Sequence, residues 1–183
     1  RVEGCEVYNH KLGMELRADV GSPLLVARNR VHHNTAAGVS LYASAPVTTQ
    51  ANMFDHNGQE GFRIEGGGWG YHVVESNRVF QNGYSGMYIV SVGTGSHIRK
   101  NIVYSNGRHG IWAWAADTLI NIYNNLLYAN STSGSGYYNI YLWAADWYAS
   151  TKLYATVEDN TCYGGNGILF RDAYAVSFRN NIM

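Results

Sequence analysis

Apolar and polar residues alternate in short bursts along this chain, three bursts to a period of about 24 residues. The first burst places Val7, Val31, Phe54, Val79, Val103, Leu127 and Cys162 at equivalent positions. The second places the pairs Met14/Leu16, Val39/Leu41, Phe62/Ile64, Met87/Ile89, Ile111/Ala113, Ile140/Leu142 and Ile168/Phe170. The third places Val26, Thr49, Val74, Ile98, Ile122, Val157 and Phe178. Period-two alternation marks β-strands, and no helical stripe runs through the sequence. Strands this short cannot bury a face alone, but stacked repeat on repeat they enclose a continuous core. The bursts are punctuated by asparagine. Asn29, Asn52, Asn77, Asn101, Asn125, Asn160 and Asn181 recur at steps of 23, 25, 24, 24, 35 and 21 residues. A second series follows five residues later at Asn34, Asn57, Asn82, Asn106 and Asn130, and then a glycine precedes the second burst at Gly13, Gly38, Gly61, Gly86, Gly110 and Gly167. Asparagine tolerates left-handed backbone, and its amide can bond the same amide one repeat above and below, so the series predicts ladders at two bends.

These features predict an all-β, single-domain parallel β-helix of about seven coils with three short strands per coil. At about 4.8 Å between strands, the rod is on the order of 30 Å long. The unit Asn-x-apolar-aromatic-x-Asn-x-x-x-Gly-apolar-x-apolar resembles the repeat of the right-handed, pectate-lyase-like β-helix superfamily over nearly the whole chain. That resemblance implies a secreted or cell-surface protein of the carbohydrate-active kind. It does not choose among lyases, hydrolases, epimerases, tailspikes and adhesin-like modules, because the fold serves all of them. The chain opens and closes in mid-coil, which leads us to expect a segment of a longer protein, with end-to-end stacking or homo-oligomerisation as the alternative.

Composition narrows the classes. Thirteen basic residues balance thirteen acidic ones, charged residues are 14% and aromatics 14%. Disorder is excluded by the apolar content, and a nucleic-acid partner is not expected without a basic run. No apolar run reaches the roughly 18 residues of a membrane helix. Cys5 and Cys162 lie about six coils apart, on the order of 29 Å, beyond the reach of a disulfide. Cys162 falls in an inward column and Cys5 takes the place of a ladder asparagine. His33 and His56 sit one coil apart beside a bend, where stacked imidazoles either hydrogen-bond in the turn or hold a metal weakly. His32 shares a column with Tyr8, Phe80, Tyr104, Tyr128 and Tyr163, an aromatic stack along the rod.

The second strand offers the candidate chemistry. Its outward columns run Glu15, Ser40, Arg63, Tyr88, Trp112, Tyr141, Leu169 and Arg17, Tyr42, Glu65, Val90, Trp114, Trp143, Arg171. Aromatic rings one coil apart suit a polysaccharide laid along the rod, so Tyr42, Tyr88, Trp112, Trp114, Tyr141, Trp143 and Arg171 are candidate substrate-binding residues. A protein interface would use the same residue types. The longest repeat adds Ser131–Gly136 before this strand and Asp146–Thr151 after it, as walls of a groove or as tolerated loop length. Glu65, Arg63 and Glu15 are the candidate catalytic residues. Hydrolysis needs two carboxylates about 5–9.5 Å apart, whereas Glu15 and Glu65 lie two coils and one column apart, with Cα atoms expected near 12 Å. The plainer alternative is that each forms an exposed ion pair with Arg17 or Arg63. No motif requires a cofactor. Asp117, Asp146 and Asp172 fall at one turn of successive coils, and in the resembling lyases aspartates near this strand bind calcium that neutralises a uronate; otherwise each caps its own turn. The functional expectation is an extracellular polysaccharide-binding solenoid, cleaving its ligand if it is a lyase or hydrolase, against a non-catalytic surface or fibre module.

Overall fold

The computed structural model describes residues 1–66, 70–90, 92–115, 118–144 and 152–183. Each burst is a strand, and like strands pair in parallel across coils. The first sheet holds Glu6–Tyr8, Arg30–His32, Met53–Asp55, Arg78–Phe80, Ile102–Tyr104, Leu126–Tyr128 and Thr161–Tyr163. The second holds Met14–Ala18, Val39–Ala43, Phe62–Gly66, Met87–Val90, Ile111–Ala115, Tyr138–Ala144 and Asn166–Arg171. The third begins at Val2–Glu3 and continues with Leu24–Ala27, Val47–Gln50, His72–Glu75, Ser96–Arg99, Thr118–Tyr123, Leu153–Glu158 and Ala175–Arg179. The chain is thus an all-β right-handed parallel β-helix of about seven coils, and no helix interrupts it among the described residues.

The register repeats the sequence columns. Val26, Thr49, Val74, Ile98, Ile122, Val157 and Phe178 pair in order, as do Val7 to Cys162 and the paired residues of the second strand. A one-residue slip would turn the whole apolar set outward, so burial fixes the pairing. Most of the inward residues join one core, with Phe54 stacked on Phe62 at 5.6 Å, while Phe178 in the last coil is exposed.

Two buried amide ladders brace the bends. Each Asn Nδ2 donates to the Oδ1 of its counterpart in the next coil, as in Asn29 to Asn52 at 3.0 Å and Asn77 to Asn101 at 3.1 Å. The same Oδ1 accepts the backbone N–H of the preceding counterpart, at 3.0 Å for Asn77 to Asn101. The second Nδ2 hydrogen goes to a carbonyl of the third or first sheet, such as Val74 from Asn101 at 2.9 Å. In the long repeat Asn139 closes the second ladder, accepting from Asn130 at 2.9 Å. Cys5 takes the first rung through its backbone, donating to Asn29 Oδ1 at 2.9 Å.

One expectation about the bends needs correction. The left-handed residue at each bend is not the ladder asparagine but the residue before it. Arg28, Ala51, Ser76, Lys100, Asn124, Asp159 and Asn180 precede the first ladder, His33, His56, Gln81, Ser105 and Ala129 precede the second, and Asn9 precedes His10, whose backbone N–H takes that ladder's first rung, all with φ between 51° and 60°. The asparagine supplies the amide, and its bonds hold the neighbour in a conformation that costs a non-glycine residue roughly 1–2 kcal/mol. The glycine column answers to the same amides. A Cβ on Gly86 would sit 2.7 Å from Asn106 Nδ2 and 2.7 Å from Val103 Cγ1, so only glycine lets the ladder pass.

Candidate functional site on the second sheet

The outer face of the second sheet carries the two columns read from alternation, in the expected register. Parallel pairing sets each side chain directly over its counterpart, one rung apart. Tyr88 and Trp112 meet edge to face at 4.7 Å, Trp112 and Tyr141 lie 6.0 Å apart, and Trp114 and Trp143 lie 6.4 Å apart. Arginines close both ends of this patch. Arg63 lies over Tyr88 at 5.3 Å, and Arg171 over Trp143 at 5.4 Å. Tyr42 stands farther down the face, with Arg17 at 5.7 Å.

The rings are less open than alternation suggests. Tyr42 is exposed, but Tyr88, Trp112, Trp114, Tyr141 and Trp143 are half-buried. The rungs are close enough for each ring to shade the next. One consequence is that Nε1 of Trp112, Trp114 and Trp143 has neither solvent nor a hydrogen-bond partner among the described residues. A buried unpaired donor costs about 1–3 kcal/mol, and among the described residues the patch holds three such N–H groups.

The candidate catalytic groups are paired within their own strands. Glu15 accepts from Arg17 at 3.1 Å, and Glu65 accepts from Arg63 Nε at 2.7 Å. Burial lowers the Arg63 guanidinium, but its hydrogen bond and charge pairing with Glu65 outweigh this and leave it above its ordinary value. Arg171 is raised by a hydrogen bond with the Tyr141 side chain and also meets Asp172 at 3.4 Å. A cation at the Asp172 turn would have to compete with Arg171. Asp117 and Asp146, and with them the segment Asp146–Thr151, lie outside the described residues, so the calcium set reduces here to Asp172.

Two polar residues that alternation did not single out border the face. Glu60 and His109 precede the glycines that open their second strands, and both are buried. Glu60 is close enough for its charge to act on Arg63 and Tyr88. His109 stacks on Tyr141 at 4.7 Å, lies 5.6 Å from Trp112, and accepts the Tyr138 backbone N–H on Nδ1 at 3.0 Å. Burial pushes it down to about 4, against a backbone hydrogen bond at Tyr138 that raises it and with a smaller lowering by Arg108. It is therefore neutral at pH 7, and the bond to Tyr138 assigns its proton to Nε2. The Arg108-His109-Gly110 string was its only signal in the sequence. Burial also raises the Tyr88 phenol, with Arg63 opposing. Two depressions flank the lower coils of this face. One of about 320 Å³ is lined by Arg17, Tyr42 and Glu65, the other of about 360 Å³ by Lys11, Ser40, Gln59 and Arg63.

A three-sheeted parallel solenoid with this bend chemistry defines a class, the right-handed β-helices. The family described as "Right handed beta helix region" matches residues 1–127, and the chain belongs to it. No curated protein matches the sequence closely enough to count as a relative. Among solved structures, the chain resembles the A-module of the Azotobacter vinelandii mannuronan C-5 epimerase AlgE6, with TM-score 0.79 and 14% identity over 99% of this chain and 54% of that one. It also resembles the periplasmic alginate epimerase AlgG, with TM-score 0.73 and 17% identity over 99% of this chain and 47% of that one. The A-module of Azotobacter vinelandii AlgE4 follows at TM-score 0.56 and 14% identity, covering 95% and 62%. At these identities the likeness is one of fold, and the chain spans about half the length of the first of these structures.

Proposed function

We propose that the outer face of the second sheet binds an acidic, uronate-containing polysaccharide, and that this chain is the substrate-holding part of a carbohydrate-active β-helix protein acting outside the cytoplasm. The observation that carries this reading is the strip Arg63–Tyr88–Trp112–Tyr141–Arg171, in which cations bracket a run of rings one rung apart. Sugar rings lie on aromatic faces through their C–H groups, and guanidinium pairs with carboxylate in a fork. Movement of the rings as a ligand enters would give the three unpaired indole N–H groups acceptors among its oxygens. The structural neighbours named for action on mannuronan and alginate support the same polymer class.

Within this chain the groups favour holding and neutralising a uronate over hydrolysing it. A glycosidase needs a free pair of carboxylates, and Glu15 and Glu65 each face their own arginine. Neutral His109, with its proton on Nε2, is a hydrogen-bond donor rather than a base. The test is a panel of polymers: polymannuronate, polygalacturonate and a neutral glucan. Affinity is read by titration, unsaturated products by ultraviolet absorbance, new reducing ends by a copper assay and C-5 inversion by proton NMR. The reading requires binding of a polyuronate in preference to the glucan, weakened at least tenfold by Arg63→Ala and by Trp112→Ala. Equal affinity for all three polymers, or none, refutes it. Turnover of any polymer assigns the reaction, and binding without turnover favours a non-catalytic module.

A further inference from the structure

At the bend between the first and second sheets, away from the aromatic strip, three successive coils bring together three imidazoles and two carboxylates. Outward column positions of the first sheet hold rings in most coils: Tyr8 stacks on His32 at 5.1 Å, and Phe80, Tyr104 and Tyr128 stack at 4.9 and 4.7 Å. Asp55 interrupts this column. It pairs in register between His32 and Phe80, and its carboxylate is fully buried. Arg30 reaches both its oxygens at 3.3 Å, and His56 Nδ1 meets Oδ2 at 2.9 Å. One rung below His56, the His33 ring stacks on it at 4.8 Å, and both are held at left-handed bend positions.

The geometry points to a zinc-class divalent cation site formed by His32, His33 and Asp55. One donor atom from each lies within 4.8 Å of the others. The arrangement around His32 is what separates this from a simple turn. Its Nε2 meets Glu6 Oε1 at 3.1 Å, so Nε2–H donates to the carboxylate and the Nδ1 lone pair is left facing His33 Nδ1 at 2.7 Å. A carboxylate behind the far nitrogen is how metal-binding imidazoles are oriented. In the metal-free chain a proton on His33 must occupy the gap, and moving it to His33 Nε2 frees two facing lone pairs. With metal–nitrogen bonds of about 2.0–2.1 Å in a tetrahedral site, the two nitrogens would sit about 3.3 Å apart. They need to open by about 0.6 Å, which exposed His33 permits. Two imidazoles and one carboxylate suit zinc, nickel or copper over calcium or magnesium. Glu6 and Asp55 against Arg30 leave the cluster with a net charge of −1 when the imidazoles are neutral, which also favours a cation.

The test is a zinc titration of the chelator-washed, tag-free chain against a competing chelator, with cobalt absorbance as a second readout. One saturable zinc per chain and a tetrahedral cobalt spectrum are expected. His33→Ala should weaken zinc at least tenfold. That substitution is compatible with the fold, because Ala51 and Ala129 take the same left-handed bend conformation at φ 54° and 51°. Glu6→Gln, acting through His32, should weaken zinc about tenfold, whereas His97→Gln on the third sheet should leave it unchanged. The inference is overturned if wild type and His33→Ala bind zinc equally, if neither binds, or if calcium displaces zinc at equal concentration.

Discussion

Replacing Asn101 with alanine puts the ladder's contribution to a direct measurement. Asn101 accepts from the Asn77 backbone N–H at 3.0 Å and from Asn77 Nδ2 at 3.1 Å, and donates to Val74 O at 2.9 Å and to Asn125 Oδ1 at 3.0 Å. Alanine removes all four bonds. The Asn101 backbone N–H still reaches Asn125, so the next rung stays partly satisfied. The Asn77 backbone N–H, one Asn77 amide hydrogen and the Val74 carbonyl each lose that partner in a region where Asn77 is only 1% exposed. Three buried groups at about 1–3 kcal/mol each give an expected loss of about 3–6 kcal/mol, allowing for partial relaxation. That is a large share of the roughly 5–15 kcal/mol that holds a typical domain together. Asn181 likewise accepts two bonds from Asn160 and donates to Val157 O, but its other amide hydrogen goes to Arg179 O and it is only half-buried, so its alanine variant opens the groups it leaves to water. It should cost about 1 kcal/mol. Urea unfolding of both variants, followed by far-ultraviolet dichroism, compares them. A loss below about 1 kcal/mol for Asn101→Ala, or equal losses at the two rungs, would refute the claim that buried amide satisfaction fixes the bends.

Two further predictions concern titratable groups. Burial lowers His72 to about 4, and both its ring nitrogens lack partners among the described residues; His109 is likewise at about 4. Between about 4 and the unfolded value near 6.5 the unfolded chain binds the extra protons, so stability must fall as pH falls through that window. The loss from pH 7 to pH 5 is about 2 kcal/mol for each histidine, and His72→Leu should abolish its half; a flat stability profile over this range would contradict the assignment. Cys5 is exposed, whereas burial pushes the Cys162 thiol up to about 12. A disulfide reagent should therefore modify one thiol quickly in the folded chain and the second only on unfolding, and two fast thiols would show that the Cys162 column is open.

Most of the fold was legible because in-register stacking gives every coil the same environment at the same position. Val26 to Phe178 could be aligned by eye, and the structure pairs them in that order. What alternation supplies is a side of the sheet, not the covering of that side. It put Trp112, Trp114 and Trp143 outside the barrel correctly, but the half-burial of their rings depends on neighbours one rung away, which a single strand does not encode. Glu60 and His109 escaped notice because they sit at the mouth of the strand, where period-two logic has not yet begun. The left-handed bend residues range over arginine, alanine, serine, lysine, histidine and glutamine as well as asparagine and aspartate, so their identity carries little signal; their place is dictated by the ladder position that follows. Asp55 carried no signal because it is a lone carboxylate in a column that otherwise repeats rings, between His32 and Phe80. The catalytic candidates were readable as residues, and so was their pairing with Arg17 and Arg63, because residues two apart on a strand share a face.

The most direct test of the central claim is to watch the indole N–H signals of Trp112, Trp114 and Trp143 by NMR, assigned with single Trp→Phe variants, while a polyuronate oligosaccharide is added. Shifts at Trp112 and Trp143 that saturate together, weaken with salt, disappear in Arg63→Ala and are absent with a neutral oligosaccharide are what the account predicts. A polyuronate that binds without moving either signal would place the ligand elsewhere and contradict it.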